Sequence, residues 1–236
     1  MKKRLIAILL LTAAFLALCA VMASAELGGV PAAYAPATAS VAPAETETAP
    51  PWDLSGHMAL YRSVLLEGRS FYSAAADGEI GLEELDRAVG GEGTMVSVAR
   101  FALLDMDGDG LPELLLWLRV NNDDSYGYQI LRREGEALYG YTVWYKAMRE
   151  LKSDGSFFSV DRGFGRMVFE GSDFRYESEA GVKDRPEPGE GLVTGYYVGG
   201  VQVDAAAFES ALAAQSEKEA PVWHDYTEEK LREIFQ

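Results

Sequence analysis

The chain has 236 residues and a mass of 25.7 kDa, room for one ordinary domain with appendages. Acidic residues outnumber basic ones 37 to 21, a formal charge of −16, which excludes a nucleic-acid binder driven by phosphate neutralisation and disfavours docking on an anionic membrane. A single Cys excludes an internal disulfide and a cysteine-built zinc site, and two His leave little for a histidine-rich metal centre.

Met1-Lys2-Lys3-Arg4 carries the only charges before Glu26, an apolar run fills Leu5–Leu18, and Ala23-Ser24-Ala25 makes a small-x-small exit. Positive start, greasy middle and small-residue exit are the parts of a secretory signal peptide. Residues 1–25 are therefore read as a leader cleaved after Ala25, and the product as secreted or attached to the cell envelope. Two alternatives stay open. Leu16-Ala17-Leu18-Cys19 resembles a bacterial lipoprotein box, which implies lipidation at Cys19, although Leu18 departs from the small residue that such boxes carry. Leu5–Ala25 is also just long enough to remain as an uncleaved membrane anchor. Loss of the leader would make the charge three units more negative, since Lys2, Lys3 and Arg4 leave with it.

Residues 26–51 hold five of the nine prolines and almost no large apolar side chains, the composition of an Ala/Pro/Thr-rich linker. From Trp52 to Gln236 the composition is globular and shows no repeat of 20–50 residues, so 52–236 is read as one domain. Asp53 or Ser55 can cap a helix carrying Met58, Tyr61, Val64, Leu65 and Tyr72. Asp77-Gly78 breaks it, and 82–89 reads as a second short helix ended by Gly90-Gly91. Residues 96–104 and 114–120 read as strands. The second is apolar on both sides, which predicts a central position covered on both faces. Strand-like runs follow at 126–132, 138–145, 156–160, 166–169 and 174–177, separated by glycine-containing turns. Tyr196–Val198 and Val201–Val203 flank a Gly199-Gly200 turn. Asp204 caps a helix with Phe208 and Leu212, and Thr227 caps a last one with Leu231, Ile234 and Phe235. The fold class predicted is α+β: N-terminal helices, a central antiparallel β-meander and C-terminal helices.

The segment that carries chemistry is Asp105-Met106-Asp107-Gly108-Asp109-Gly110-Leu111-Pro112-Glu113. Carboxylates at loop positions one, three, five and nine repel one another unless a cation sits among them, and hard oxygen donors at this density suit Ca²⁺. Gly110 stands at position six, where the backbone must turn sharply. An EF-hand is excluded here, because its position twelve falls on Leu116 instead of an acid. The nine-residue form resembles the strand–loop–strand calcium loops of integrin-type (FG-GAP-like) propeller repeats. That resemblance implies Asp105, Asp107, Asp109, the Leu111 carbonyl and Glu113 as metal ligands. It does not carry over the propeller, since the family has tandem copies and this chain has one. The order of segments over most of 52–236 is also similar to a group of uncharacterised secreted bacterial proteins with one DxDGDGxxEL hairpin, within about 96–120 here, and that likeness brings no activity with it. A second acidic stretch, 73–84, places Asp77, Gly78, Ile80 and Glu84 at EF-hand positions but has Ser73 and Ala75 where carboxylates belong, so a plain helix–turn–helix is the better reading.

Tyr139, Tyr141 and Tyr145 share one strand face with Val143, a strip that either stacks on sugar rings or packs in a core. His57 and His224 stand alone, with no G-x-S-x-G signature, and Gly90-Gly91-Glu92-Gly93 lacks the Lys of a phosphate loop. The expectation is an exported, non-enzymatic calcium-binding domain whose Ca²⁺ is structural. The alternative is a carbohydrate- or cell-wall-binding module using the Tyr139, Tyr141 and Tyr145 face. The partners expected are the calcium ion and a cell-envelope polysaccharide or protein, with no nucleic acid.

Overall fold

The computed structural model describes residues 55–91, 93–187 and 191–236. The leader, the lipidation candidate Cys19 and the linker of 26–51 lie outside the described residues.

Among the described residues the fold is mainly β, built on two sheets, and this corrects the α+β prediction of helices bracketing a meander. Helix α1 (Ser55–Glu67) is followed by a short hairpin, β1 (Phe71–Ser73) and β2 (Gly78–Ile80), a single 3₁₀ turn and helix α2 (Leu85–Val89). The long strands β3 (Val96–Leu104), β4 (Glu113–Val120), β5 (Asp123–Glu134) and β6 (Ala137–Trp144) come next. Strands β7 (Phe157–Phe158), β8 (Phe164–Glu170), β9 (Asp173–Glu187), β10 (Gly191–Val198) and β11 (Val201–Val203) then form a second sheet. Helix α3 (Ala205–Glu217), strand β12 (His224–Asp225) and helix α4 (Glu228–Ile234) complete the described chain.

The first sheet has seven strands in the order β12-β3-β4-β5-β6-β1-β2, and the second five in the order β11-β10-β9-β8-β7. The prediction failed at two places. The first helix stops at Glu67, and Tyr72, assigned to it by periodicity, lies instead in β1, which pairs in parallel with β6 through Tyr72↔Tyr139. The stretch read as helix–turn–helix is the β1–β2 hairpin. The first error has a long-range cause: β1 is held by β6, more than sixty residues away, and side-chain periodicity does not register such pairing; the second is a three-residue hairpin too short to show alternation. β9 also runs to Glu187, far beyond the run at 174–177: Ala180 and Val182 join a core, but the polar, exposed stretch 183–186 gives no alternating hydrophobic pattern.

Strand β4 lies third in the seven-stranded sheet and is covered on both faces. Leu114, Leu116 and Leu118 point one way, into a core with Leu60, Tyr61, Val64 and Leu65 of α1 and Leu231 of α4. Leu115 points the other way, into a layer with Ile130, Tyr141, Met167 and Phe169 that joins the two sheets. Period-two alternation therefore feeds two cores from one strand, which explains why a polar break is missing between Leu114 and Leu118. Phe208 of α3 seals the far face of the second sheet against Phe164 and Ala180. The turn between β3 and β4 thus projects from a hairpin whose second strand is buried on both faces. Leu116→Ala, which empties a fully buried position in that strand, should lower unfolding free energy by about 2–5 kcal/mol in a urea titration.

Candidate metal centre

The β3–β4 ladder closes at Leu104↔Glu113, so residues 105–112 form the turn. Gly110 adopts φ 86°, the left-handed region that a side chain resists. Backbone amides wrap each aspartate. Asp105 Oδ1 accepts from the Gly108 N–H at 2.7 Å and Oδ2 from the Gly110 N–H at 3.0 Å. Asp107 Oδ1 accepts from Asp109 N–H at 3.1 Å, and Asp109 Oδ1 from Leu111 N–H at 2.8 Å. These bonds aim the carboxylates inward. One oxygen from each of Asp105, Asp107 and Asp109 lies within 4.8 Å of the other two, an arrangement that could hold a metal ion. Two oxygens bound to one Ca²⁺ at about 2.3–2.6 Å can stand no more than about 5 Å apart, so the spacing fits such an ion.

The resemblance names two further ligands, the Leu111 carbonyl and Glu113. Leu111 contributes its N–H to Asp109, as above. Glu113 stands outside the three-aspartate group, buried to 2% exposure, where its Oε2 accepts from Met106 N–H at 2.8 Å. Burial pushes its carboxyl up to about 9, helped by the nearby charges of Asp107 and Asp109 and opposed by the Met106 N–H and Arg132. Asp107 is raised as well, by burial first and by Asp109 second.

Sequence reasoning missed three residues that complete the centre. Arg132 of β5 sets its Nη2 3.2 Å from Asp107 Oδ2 and 3.2 Å from Asp109 Oδ2, with Nε 3.6 Å from Glu113 Oε1. Burial works against that guanidinium's charge, but Asp107, Glu113 and Asp109 outweigh it and raise its pKa. Tyr61 of α1 donates its hydroxyl to the Pro112 carbonyl at 2.9 Å, fixing the exit of the turn. Gly155 packs against the entry, where a Cβ would overlap the Asp105 carbonyl oxygen and come within 2.8 Å of Met106 Cα. The turn that carries Gly155 is anchored by Asp154, whose carboxyl is desolvated yet held down to about 2 by Lys218 Nζ at 2.7 Å and by Ser156. Among the described residues no other set of three His, Cys, Asp or Glu side chains converges in this way.

The three tyrosines do not form an open platform. Tyr141 is fully buried and donates to the Gly171 carbonyl, with its ring 4.9 Å from that of Phe169. Tyr139 packs edge-on against Tyr72, and Tyr145, in a 3₁₀ turn beyond β6, packs against Trp117. All three rings line the layer between the sheets. The 73–84 stretch brings together no EF-hand ligand set: Ser73 Oγ accepts from Ala76 N–H and Asp77 accepts from the Tyr72 hydroxyl.

Comparison with family models, curated proteins and solved structures gives no match.

Glu113 makes the centre sensitive to pH. A carboxyl protonated up to about 9 in the folded chain but ionised above about 4.3 in the unfolded one stabilises the fold fully at low pH and loses that contribution as pH rises between those values. In chelator, urea unfolding at pH 5, 7 and 9 should show wild-type stability falling relative to Glu113→Gln, whose neutral amide cannot ionise. Parallel curves for the two proteins would contradict the assignment.

Proposed function

We propose that residues 105–113 take up Ca²⁺ and that the ion braces the β3–β4 hairpin of an exported, non-enzymatic domain. The observation that carries this reading is the convergence of Asp105, Asp107 and Asp109 to within 4.8 Å. The donors are all hard oxygens on a turn with a glycine at its sixth position, which suits the larger and more tolerant coordination of Ca²⁺ better than the tight octahedron of Mg²⁺. A charge argument supports it too: in a chain already at −16, Asp105, Asp107 and Asp109 crowd together and Arg132 reaches only two of them. Glu113 stabilises the cage from below through the Met106 N–H, and the flanking strands hold the turn at fixed width.

The role assigned to the ion is structural. A cation that neutralises the aspartates lets β3 and β4 keep their pairing up to Leu104↔Glu113. Export, inferred from the leader, would place the domain where calcium is plentiful enough to fill even a site of about 10⁻⁴–10⁻³ M.

Differential scanning fluorimetry tests the reading. At 10 mM Ca²⁺ and a Kd of about 10⁻⁴ M, linkage gives about 2.7 kcal/mol of stabilisation, a rise in Tm of roughly 5–10 °C over chelator. Asp107→Ala should melt at the same temperature with and without calcium. A wild-type Tm that ignores calcium would overturn the proposal.

A further inference from the structure

Among the described residues Arg132 is the cation paired with Asp107 and Asp109, and it stands where a divalent ion would have to bind. Its Nη2 bridges Asp107 Oδ2 and Asp109 Oδ2 at 3.2 Å each. An ion shared by the same two carboxylates would approach their oxygens at about 2.3–2.6 Å. The two positive groups would then compete for the same oxygens a few ångströms apart, within a partly desolvated pocket where repulsion is strong. The guanidinium is also not settled in its present place. Its Nε is buried and has no hydrogen-bond acceptor, because Glu113 Oε1 lies at 3.6 Å, beyond bonding reach. Glu113, only 3% exposed at its side chain, has its Oε2 satisfied by Met106 and its Oε1 facing that unbonded Nε. The structure therefore leaves one buried guanidinium N–H of Arg132 unbonded beside the aspartate group. Arg132 has one alternative support: its guanidinium carbon stands 5.4 Å from the centroid of the Phe169 ring.

Resting on the calcium reading above, we propose that Arg132 is a tethered counter-cation that a divalent ion displaces from Asp107 and Asp109, and that it sets the affinity and the occupancy threshold of the site. With no ion bound, the guanidinium neutralises the turn and keeps the hairpin closed. When the ion enters, Nη2 gives up the two aspartates and the side chain stays on the Phe169 ring beside Glu113. The site then responds to calcium across a range set by this competition. A turn without the arginine would bind more tightly and stay filled at lower calcium.

Isothermal titration of the full chain with CaCl₂ reads this directly, comparing wild type, Arg132→Gln and Arg132→Lys. Arg132→Gln removes the charge and should bind Ca²⁺ at least about tenfold more tightly, while Arg132→Lys keeps a competing charge and should stay near wild type. A second readout needs no variant: the Arg132 side-chain Nε–H resonance should shift and its hydrogen exchange quicken as calcium is added to ¹⁵N-labelled protein. If wild type binds and Arg132→Gln binds no more tightly, or the Nε–H resonance is unmoved at saturation, the displacement proposal is overturned and the calcium reading stands. If calcium binds neither wild type nor Arg132→Gln, both fall, and Arg132 is the permanent counter-ion of the turn.

Discussion

The turn between β3 and β4 must gather acidic groups that repel one another, and the structure around it is organised to make that tolerable. Three aspartate oxygens within 4.8 Å amount to a repulsion on the order of a few kcal/mol per pair near a protein surface. Amide donors from Gly108, Asp109, Gly110 and Leu111 fix the carboxylates in place, and Arg132 offsets part of the charge. Neither provision removes the excess negative charge, which the divalent cation proposed above would neutralise. The same amides that hold the aspartates also prevent them from swinging out to water, so the tension is a property of the turn itself.

That turn is rigid because of what lies beneath it. Leu114, Leu116 and Leu118 engage the helices, and Leu115 engages the second sheet, so β4 cannot shift without disturbing both cores. Tyr61 reaches from α1 to the Pro112 carbonyl, and Gly155 closes in on Asp105 from the other side. Asp154 ties the Gly155 turn to α3 through Lys218 and to β8 through Arg166. Three separate layers thus meet at one nine-residue segment. Loss of order in the turn would be felt along the hairpin, which is why the proposed ion would have consequences for the whole domain.

Much of the centre was legible in the sequence, and the fold class was not. The D-x-D-x-D-G spacing places three carboxylates on one side of a tight turn by local geometry alone, and those three do converge. Glu113, named as the closing ligand, begins β4, where its Oε2 accepts from the Met106 N–H. Arg132 was invisible for a definite reason. Counting back from the Asn121-Asn122 turn through Val120↔Asp123 sets Ile130 opposite Glu113. A bulge between Leu118 and Val120 shifts the register to Leu114↔Leu131, which brings Arg132 alongside instead. The aromatic strip was ambiguous from the start, because alternation tells which residues share a face and not what covers it. Here Phe169 and Phe174 of the second sheet cover Tyr141. The dominance of β structure escaped notice because β1, β2 and the outer half of β9 are held by main-chain ladders with weak side-chain patterns.

The central claim is geometric, and crystallography of the protein grown with calcium tests it most directly. The account predicts an anomalous difference peak in the turn, 2.3–2.6 Å from oxygens of Asp105, Asp107 and Asp109, with the Arg132 guanidinium drawn away from Asp107. A turn that shows only water at saturating calcium, with Arg132 still bridging Asp107 and Asp109, would contradict it.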